Sequence, residues 1–295
     1  MNIQESFTRE GAALYVCSTP IGNLDDVSFR LLEVLRTADV VAAEDTRHTR
    51  KLLSRYDIHP PQLVSYHQHN RNARVKDLES WWEEGKRVAL VSDAGTPGVS
   101  DPGEEAITLA ILHNVPVIPV PGPSAVLSAL VGSGFALQPF TFVGFLPKEG
   151  RQIQAVLEPL QKLPGVLIFY EAPHRLHRTL KLLEEHFGNR EVVLAKELTK
   201  RHESFIRGNW QEILAYIQDH DPRGEFVVVL GPPLLTAADE GLATQEMALR
   251  WQQAIQQVRE DMESGFSHTD AVRKVASETG FRRKELYKAT LNMED

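Results

Sequence analysis

The chain has 295 residues, 42% hydrophobic and 24% charged, a size and mixture that suit two ordinary domains, or two plus a small appendage, each with its own core. No stretch approaches the roughly 20 uninterrupted apolar residues of a membrane span, and residues 1–11, with Glu5 and Glu10, lack the apolar core of a secretory signal, so a soluble cytoplasmic protein is expected. A net charge of −8 excludes coating of nucleic acid by global attraction, and a single cysteine, Cys17, excludes an internal disulfide or a multi-cysteine metal cluster.

Short β-branched runs alternate with helical patterns through the first 130 or so residues, as in a parallel sheet with crossover helices. The strand candidates are Leu14 to Cys17, Asp39 to Ala43, Leu63 to Tyr66, Arg87 to Ser92 and Pro116 to Val120. Cys17 ends the first of them, where a cysteine is read as a small buried hydrophobe rather than a nucleophile. In the helix that follows, Val27, Leu31 and Leu35 share a face, with Asp25 and Asp26 placed in its first turn, where carboxylates favour the dipole.

The break Gly132-Ser133-Gly134 precedes a second set of runs: Phe140 to Phe145, Val166 to Tyr170, Glu191 to Ala195, Glu203 to Arg207 and Phe226 to Leu230. Little helix separates three of these, so part of this second sheet is expected to be antiparallel. After Gly231-Pro232-Pro233, a weakly structured linker over Thr236 to Thr244 is expected to lead into a helix carrying Met247, Trp251, Ile255, Val258 and Met262 at helical spacing. Ser267 with Asp270 reads as a capping box opening a helix through Ala276, and Glu278-Thr279-Gly280 turns into a last helix over Phe281 to Leu291, a helix-turn-helix outline. Arg282, Arg283, Lys284 and Lys288 give that last helix a local positive charge, fit either for RNA phosphates or for a solvated face.

Ligands of open α/β sheets bind outside the carboxyl ends of the strands. Three loops there are unusual: Ser18-Thr19-Pro20-Ile21-Gly22-Asn23 after the first strand, residues 92–103 (SDAGTPGVSDPG) after the fourth, and Pro121-Gly122-Pro123-Ser124-Ala125 after the fifth. Their glycines permit close backbone approach to a ligand, and the Asp side chains can hold a hydroxyl or amino group. None has the G-x-G-x-x-G spacing of a dinucleotide site or the G-K-[ST] ending of a P-loop.

Loops of this form, followed by a second sheet domain, resemble those of the tetrapyrrole methylase family of methyltransferases. Ser18 to Leu24, Glu44-Asp45-Thr46-Arg47-His48-Thr49, the 92–103 loop and Phe169-Tyr170-Glu171-Ala172-Pro173-His174-Arg175 are similar to its ribosomal-RNA-modifying branch, with the likeness covering roughly residues 12–234 and extending to the tail. The resemblance implies an α/β fold of two domains, 12–132 with a parallel sheet and 133–234 with a mixed one, and a helical extension over 235–295. It further implies S-adenosylmethionine in the interdomain cleft, 2′-O-methylation of a cytidine in the decoding region of small-subunit ribosomal RNA, free or in the assembled 30S particle, and a homodimer. Carried across residue by residue, the cofactor contacts are Pro20, Gly95, Thr96, Val99, Ser124, Ala125, Glu171 and Leu198. Tetrapyrrole-acting members have Gly-Asp-Pro where this chain has Gly95-Thr96-Pro97, so Asp93 or Asp101 is expected to supply the carboxylate.

Methyl transfer to a ribose hydroxyl needs no metal, but it does need alignment and a means of handling the proton. Asp45 or His48 suits the proton and Arg47 a phosphate, because all three follow the second strand on the ligand side of the sheet. Glu171 is a cofactor or proton candidate and Arg175 a phosphate candidate. Lys196 could lower the pKa of the acceptor hydroxyl or simply form an exposed ion pair. His67 and His69 share a strand face, yet without further ligands at zinc spacing a metal site is not expected, and RNA contact by Tyr66, His67 and Asn70 is the functional reading. Tetrapyrrole C-methylation is the alternative activity, one with no obvious use for the Glu44 to Arg47 segment or the basic tail. A non-catalytic RNA-binding module is the third reading.

Overall fold

The computed structural model describes residues 3, 4, 6, 11–234 and 237–291, with side chains at 71, 72 and 237–246 excepted. Glu5, Glu10 and Thr236 lie outside the described residues. The chain divides into two compact units, 1–233 and 234–295.

The first unit contains both sheets. One is formed by β1 (Ala13–Cys17), β2 (Val40–Ala43), β3 (Gln62–Ser65), β4 (Arg87–Val91) and β5 (Val117–Val120), all parallel, in the order β3-β2-β4-β1-β5. Helices α1 (Phe29–Thr37), α2 (Thr46–Arg55), α3 (Arg71–Glu83) and α4 (Glu104–Leu112) make its crossovers. Both faces are therefore covered: Cys17, Val41 and Ala89 pack with Leu31 and Leu35 on one side, while Leu14, Val40, Val88 and Leu90 meet Trp81 and Trp82 on the other. Cys17 is fully buried, and that burial raises its thiol pKa, as a small core residue requires.

The start of α1 differs from expectation. Asp25 and Asp26 belong to a separate 3-10 turn, Leu24–Asp26, capped by the Asn23 side chain, and α1 begins only after Ser28, whose hydroxyl accepts from Leu31 N. A side-chain acceptor at Ser28 is the stronger start signal, because it satisfies a backbone donor that an acidic first turn would leave to solvent.

Helix α5 (Ala125–Ser133) leads from the first sheet to the second, made of β6 (Phe140–Phe145), β7 (Val166–Glu171), β8 (Val192–Lys196), β9 (Ser204–Gly208) and β10 (Phe226–Leu230) in the order β6-β7-β10-β8-β9. Only β6 and β7 are parallel; the other three pairings are antiparallel, so the sheet is mixed as expected, although only β8 and β9 are consecutive strands joined by a short connection. Leu167, Phe169, Leu194 and Val228 face a core shared with α6 (Gly150–Leu160), α7 (Pro173–Phe187) and α8 (Trp210–Asp219). Ile168, Ala195 and Val227 face the opposite way, onto Val126, Ala129 and Leu130 of α5 and onto Ile21. The two sheets thus share an apolar layer, and each buried Leu or Val in it contributes roughly 1.5–3 kcal/mol.

The second unit is α9 (Ala237–Glu263), α10 (His268–Thr279) and α11 (Arg283–Thr290) around Ala254, Val258, Val272, Val275 and Leu286. The linker expected over Thr236 to Thr244 is corrected here: residues 237–244 are already helical and form the start of α9. Ser267 caps α10 by accepting from Asp270 N, and Gly280 ends it at φ 77°.

Candidate active site

In the strand order β4-β1-β5, the three unusual loops leave the same sheet edge side by side. They also touch. Thr19 and Gly95 pair as an isolated antiparallel bridge, Ser18 Oγ lies 2.7 Å from Thr96 Oγ1, and a Cβ on Gly122 would sit 3.0 Å from the Ser18 carbonyl oxygen. The second sheet faces them, and between lies a cleft of about 320 Å³.

Its walls are built from both halves. Gly95, Thr96, Val99, Ser124 and Ala125 come from the loops, and Glu171 and Leu198 from the second sheet. Gly95 holds φ 78°, a left-handed conformation that leaves the backbone accessible. Ser124 is the N-cap of α5, accepting from Leu127 N at 3.4 Å. Pro20 is buried behind its loop, and the neighbouring Ile21 is the residue of that turn on the cleft wall. Asp93 lies off the wall: it accepts from Asp45 N at 3.1 Å and pairs with His48 Nδ1 at 2.9 Å.

Residues that sequence reading did not single out complete the wall: Phe145, Tyr170, Phe226 and Val227. Tyr170 packs edge-on to Phe142 and Phe145, with ring centroids 4.9 and 5.5 Å away. The period of two along β7 is the signal that could have placed it, since Ile168 and Tyr170 alternate with Leu167 and Phe169 of the opposite core.

Several predicted roles meet a different geometry. The Arg175 guanidinium donates to Leu146 O at 2.8 Å and Pro147 O at 3.3 Å and pairs with Glu171 at 3.3 Å, so it clamps β6 to β7 and is not presented to a phosphate. Glu171 is buried, accepting from Ala172 N at 2.8 Å and Thr179 Oγ1 at 2.5 Å, which occupies both carboxylate oxygens. Lys196 does not line the cleft; its ammonium lies 5.9 Å from the Phe226 ring centre. Tyr66 is buried and the Asn70 amide is engaged with Ser65 and with His67 N, so these two shape a turn, and His67 is half-buried beside it.

Beside the cleft, Arg47 donates from Nε and Nη2 to the Asp45 carboxylate at 2.5–3.1 Å, and holds that carboxyl well below the usual range. This pairing weakens Asp45 as a proton acceptor. The Arg47 side chain is 83% exposed, open to an incoming anion. Donor atoms of Asp45, His48 and Asp93 come within 4.8 Å of one another, a proximity that the ion pairs to Arg47 and His48 already account for. Glu44 is pushed up by burial and by Asp93 and Asp45. Asp101, on the cleft wall, is pushed up to about 7 by burial first and then by Glu44, against a hydrogen bond to Ser92.

In the second unit, Arg282, Arg283, Lys284 and Lys288 are all exposed. Arg283, Lys284 and Lys288 border a shallow hollow with Tyr287 and Leu291. This pairs cations with an aromatic and an aliphatic surface, a mixture suited to a nucleic acid strand.

The family model of the tetrapyrrole (corrin/porphyrin) methylases matches residues 13–214. A ribosomal RNA small subunit methyltransferase I from Synechocystis sp. is 43% identical over 282 residues, covering 95% of this chain and 98% of the relative. One from Bacillus subtilis is 40% identical over 276 residues, covering 94% and 93%. Among solved structures, uroporphyrin-III C-methyltransferase from Thermus thermophilus, complexed with S-adenosylhomocysteine, superposes with a TM-score of 0.53 at 20% identity, over 75% of this chain and 97% of that one.

Proposed function

The chain belongs to the tetrapyrrole methylase family, in the branch of ribosomal RNA small subunit methyltransferase I, and from that premise we propose that it methylates the 2′-hydroxyl of a cytidine in the decoding region of small-subunit ribosomal RNA. The cofactor is S-adenosylmethionine, which supplies an electrophilic methyl group on a sulfonium.

One observation carries the reading. Seven cofactor positions that the resemblance implies, Gly95, Thr96, Val99, Ser124, Ala125, Glu171 and Leu198, line a single cleft although they span more than a hundred residues of sequence. The remaining wall fits the same molecule: Ile21, Ala195 and Val227 offer apolar surface to an adenosine. The Thr19–Gly95 bridge and the Ser18–Thr96 contact keep the loop backbones in place, so little ordering is left for binding to bring about.

Arg47, exposed in the first turn of α2, is assigned to an RNA phosphate, with His48 and His67 as further RNA contacts. The cations of α11 add a second phosphate-binding surface. These groups favour RNA over a tetrapyrrole, for which they have no use. The protein is read as a cytoplasmic homodimer, with exposed Leu127 and Val131 of α5 as apolar surface for a second copy.

The test is transfer of labelled methyl from S-adenosylmethionine to unmodified small-subunit RNA, naked and as 30S particles, beside a precorrin-type substrate. Label in RNA alone, lost in Arg47→Ala with cofactor affinity retained, supports the assignment. Label in the tetrapyrrole alone overturns it.

A further inference from the structure

Four ionisable side chains line the cleft: Asp101, Tyr170, Glu171 and Glu225. Three of them are otherwise engaged. Glu171 is saturated by Ala172 N, Thr179 Oγ1 and Arg175, and Glu225 is an exposed partner of Lys200 at 3.0 Å. Tyr170 is held as a neutral phenol, its pKa pushed up to about 12 by burial and by the Asp101 charge. Asp101 is half-buried, and no basic side chain pairs with it among the described residues.

Its placement follows from the chain. Asp101 sits in the same loop as Gly95, Thr96 and Val99, with Ser100 on one side at φ 67° and Pro102 on the other. A Cβ on Gly103 would come 2.8 Å from Gly98 N, so the loop doubles back tightly on itself around this carboxyl. The segment is therefore rigid where a proton acceptor has to be rigid.

We propose that Asp101 is the general base that takes the proton of the acceptor hydroxyl, a role that rests on reading the cleft as a site of methyl transfer to ribose. The ribose O–H proton passes to an Asp101 carboxylate oxygen while the oxygen lone pair forms the bond to the methyl carbon. The electron pair of the broken carbon–sulfur bond stays on sulfur, and the Asp101 carboxylic acid then loses its proton to solvent. Burial and the charges of Glu44 and Asp93 bring this carboxyl to about 7, the range in which a base is both present and effective at neutral pH. Neither Asp45, locked by Arg47, nor His48, turned to Asp93, competes for the position.

Two measurements test it. In single turnover with saturating RNA and cofactor, the wild-type rate rises with pH through a midpoint near 7. Asp101→Asn loses that limb and roughly a hundredfold or more in rate, while calorimetric affinity for S-adenosylhomocysteine stays within about threefold. Independently, in ligand-free protein carrying carbon-13 aspartate, the carboxyl resonance missing from Asp101→Asn titrates near 7. Asp101→Glu, which shifts the same resonance, identifies it should the Asn variant not fold. Rates within about threefold of wild type in Asp101→Asn, or a carboxyl titrating near the ordinary value of about 4, would overturn the proposal. No methyl transfer to ribose by the wild-type protein would instead remove the functional reading, and the titration would still report on the carboxyl.

Discussion

Thr19 and Gly95 exchange backbone hydrogen bonds, Thr19 N to Gly95 O at 2.9 Å and Gly95 N to Thr19 O at 3.1 Å, although neither belongs to a strand of either sheet. This pair ties the loop after β1 to the loop after β4. The β5 loop is held against them by the hydrogen bond from Ser18 N to Val120 O at 3.1 Å and by close approach, because Gly122 leaves little room for a side chain beside Ser18. Gly122→Ala is therefore expected to push these loops apart and raise the dissociation constant for S-adenosylmethionine about tenfold, or ~1.4 kcal/mol. Titration calorimetry checks this, and an unchanged affinity would mean that the loops do not form one binding surface.

Arg175 clamps Leu146 O, Pro147 O and a Glu171 carboxylate that is fully buried. Removing it leaves that charge without its cation. Arg175→Ala should lose on the order of 3 kcal/mol of stability in urea unfolding, and double replacement with Glu171→Gln should lose less than the sum. Loss of RNA affinity at full stability would restore Arg175 as a phosphate ligand.

The raised pKa of Asp101 has a consequence for stability with a definite sign. The folded state holds the proton up to about 7 and the unfolded chain releases it near 3.8, so the contribution of this group falls as pH rises between those values. Asp101→Asn should accordingly melt higher than wild type at pH 8 and at the same temperature at pH 4. A melting difference independent of pH would show that burial does not act on this carboxyl.

Exposed Arg282, at the N-cap of α11, and exposed Arg283, Lys284 and Lys288 on the helix stand against Glu285, which lies 3.6 Å from Arg282. Replacing Arg282, Arg283, Lys284 and Lys288 by Gln should weaken RNA binding and flatten the plot of log affinity against log salt, by a slope of up to about 3. Filter binding at several salt concentrations measures it. An unchanged slope assigns these residues to a solvated face.

The strands were legible because they are short unbroken apolar runs: Val40 to Ala43 and Phe226 to Leu230 are apolar throughout and buried throughout. The ligand loops were legible from Gly, Pro and Asp clusters that no helix or strand could contain. Side-chain roles at strand ends were less so. Glu171, Arg175 and Asp45 carry charges on the ligand side of the sheets, which is what sequence can indicate, but pairing among themselves and with backbone carbonyls decides which stay available. Asp101 emerges for the opposite reason, as a carboxyl with acidic neighbours and no paired cation among the described residues, a relation that brings Glu44 from the loop after β2 beside Asp93 of its own loop. The start of α9 was misjudged from weak periodicity over residues 237–244, where continuity with the helix that follows prevails over local pattern.

The chemical identity of the product decides the assignment most directly. Small-subunit RNA lacking the modification, treated with the protein and S-adenosylmethionine, digested to nucleosides and analysed by mass spectrometry, should contain 2′-O-methylcytidine from one nucleotide of the decoding region. A methyl group found only on a base, or no methylated nucleoside at all, would contradict it.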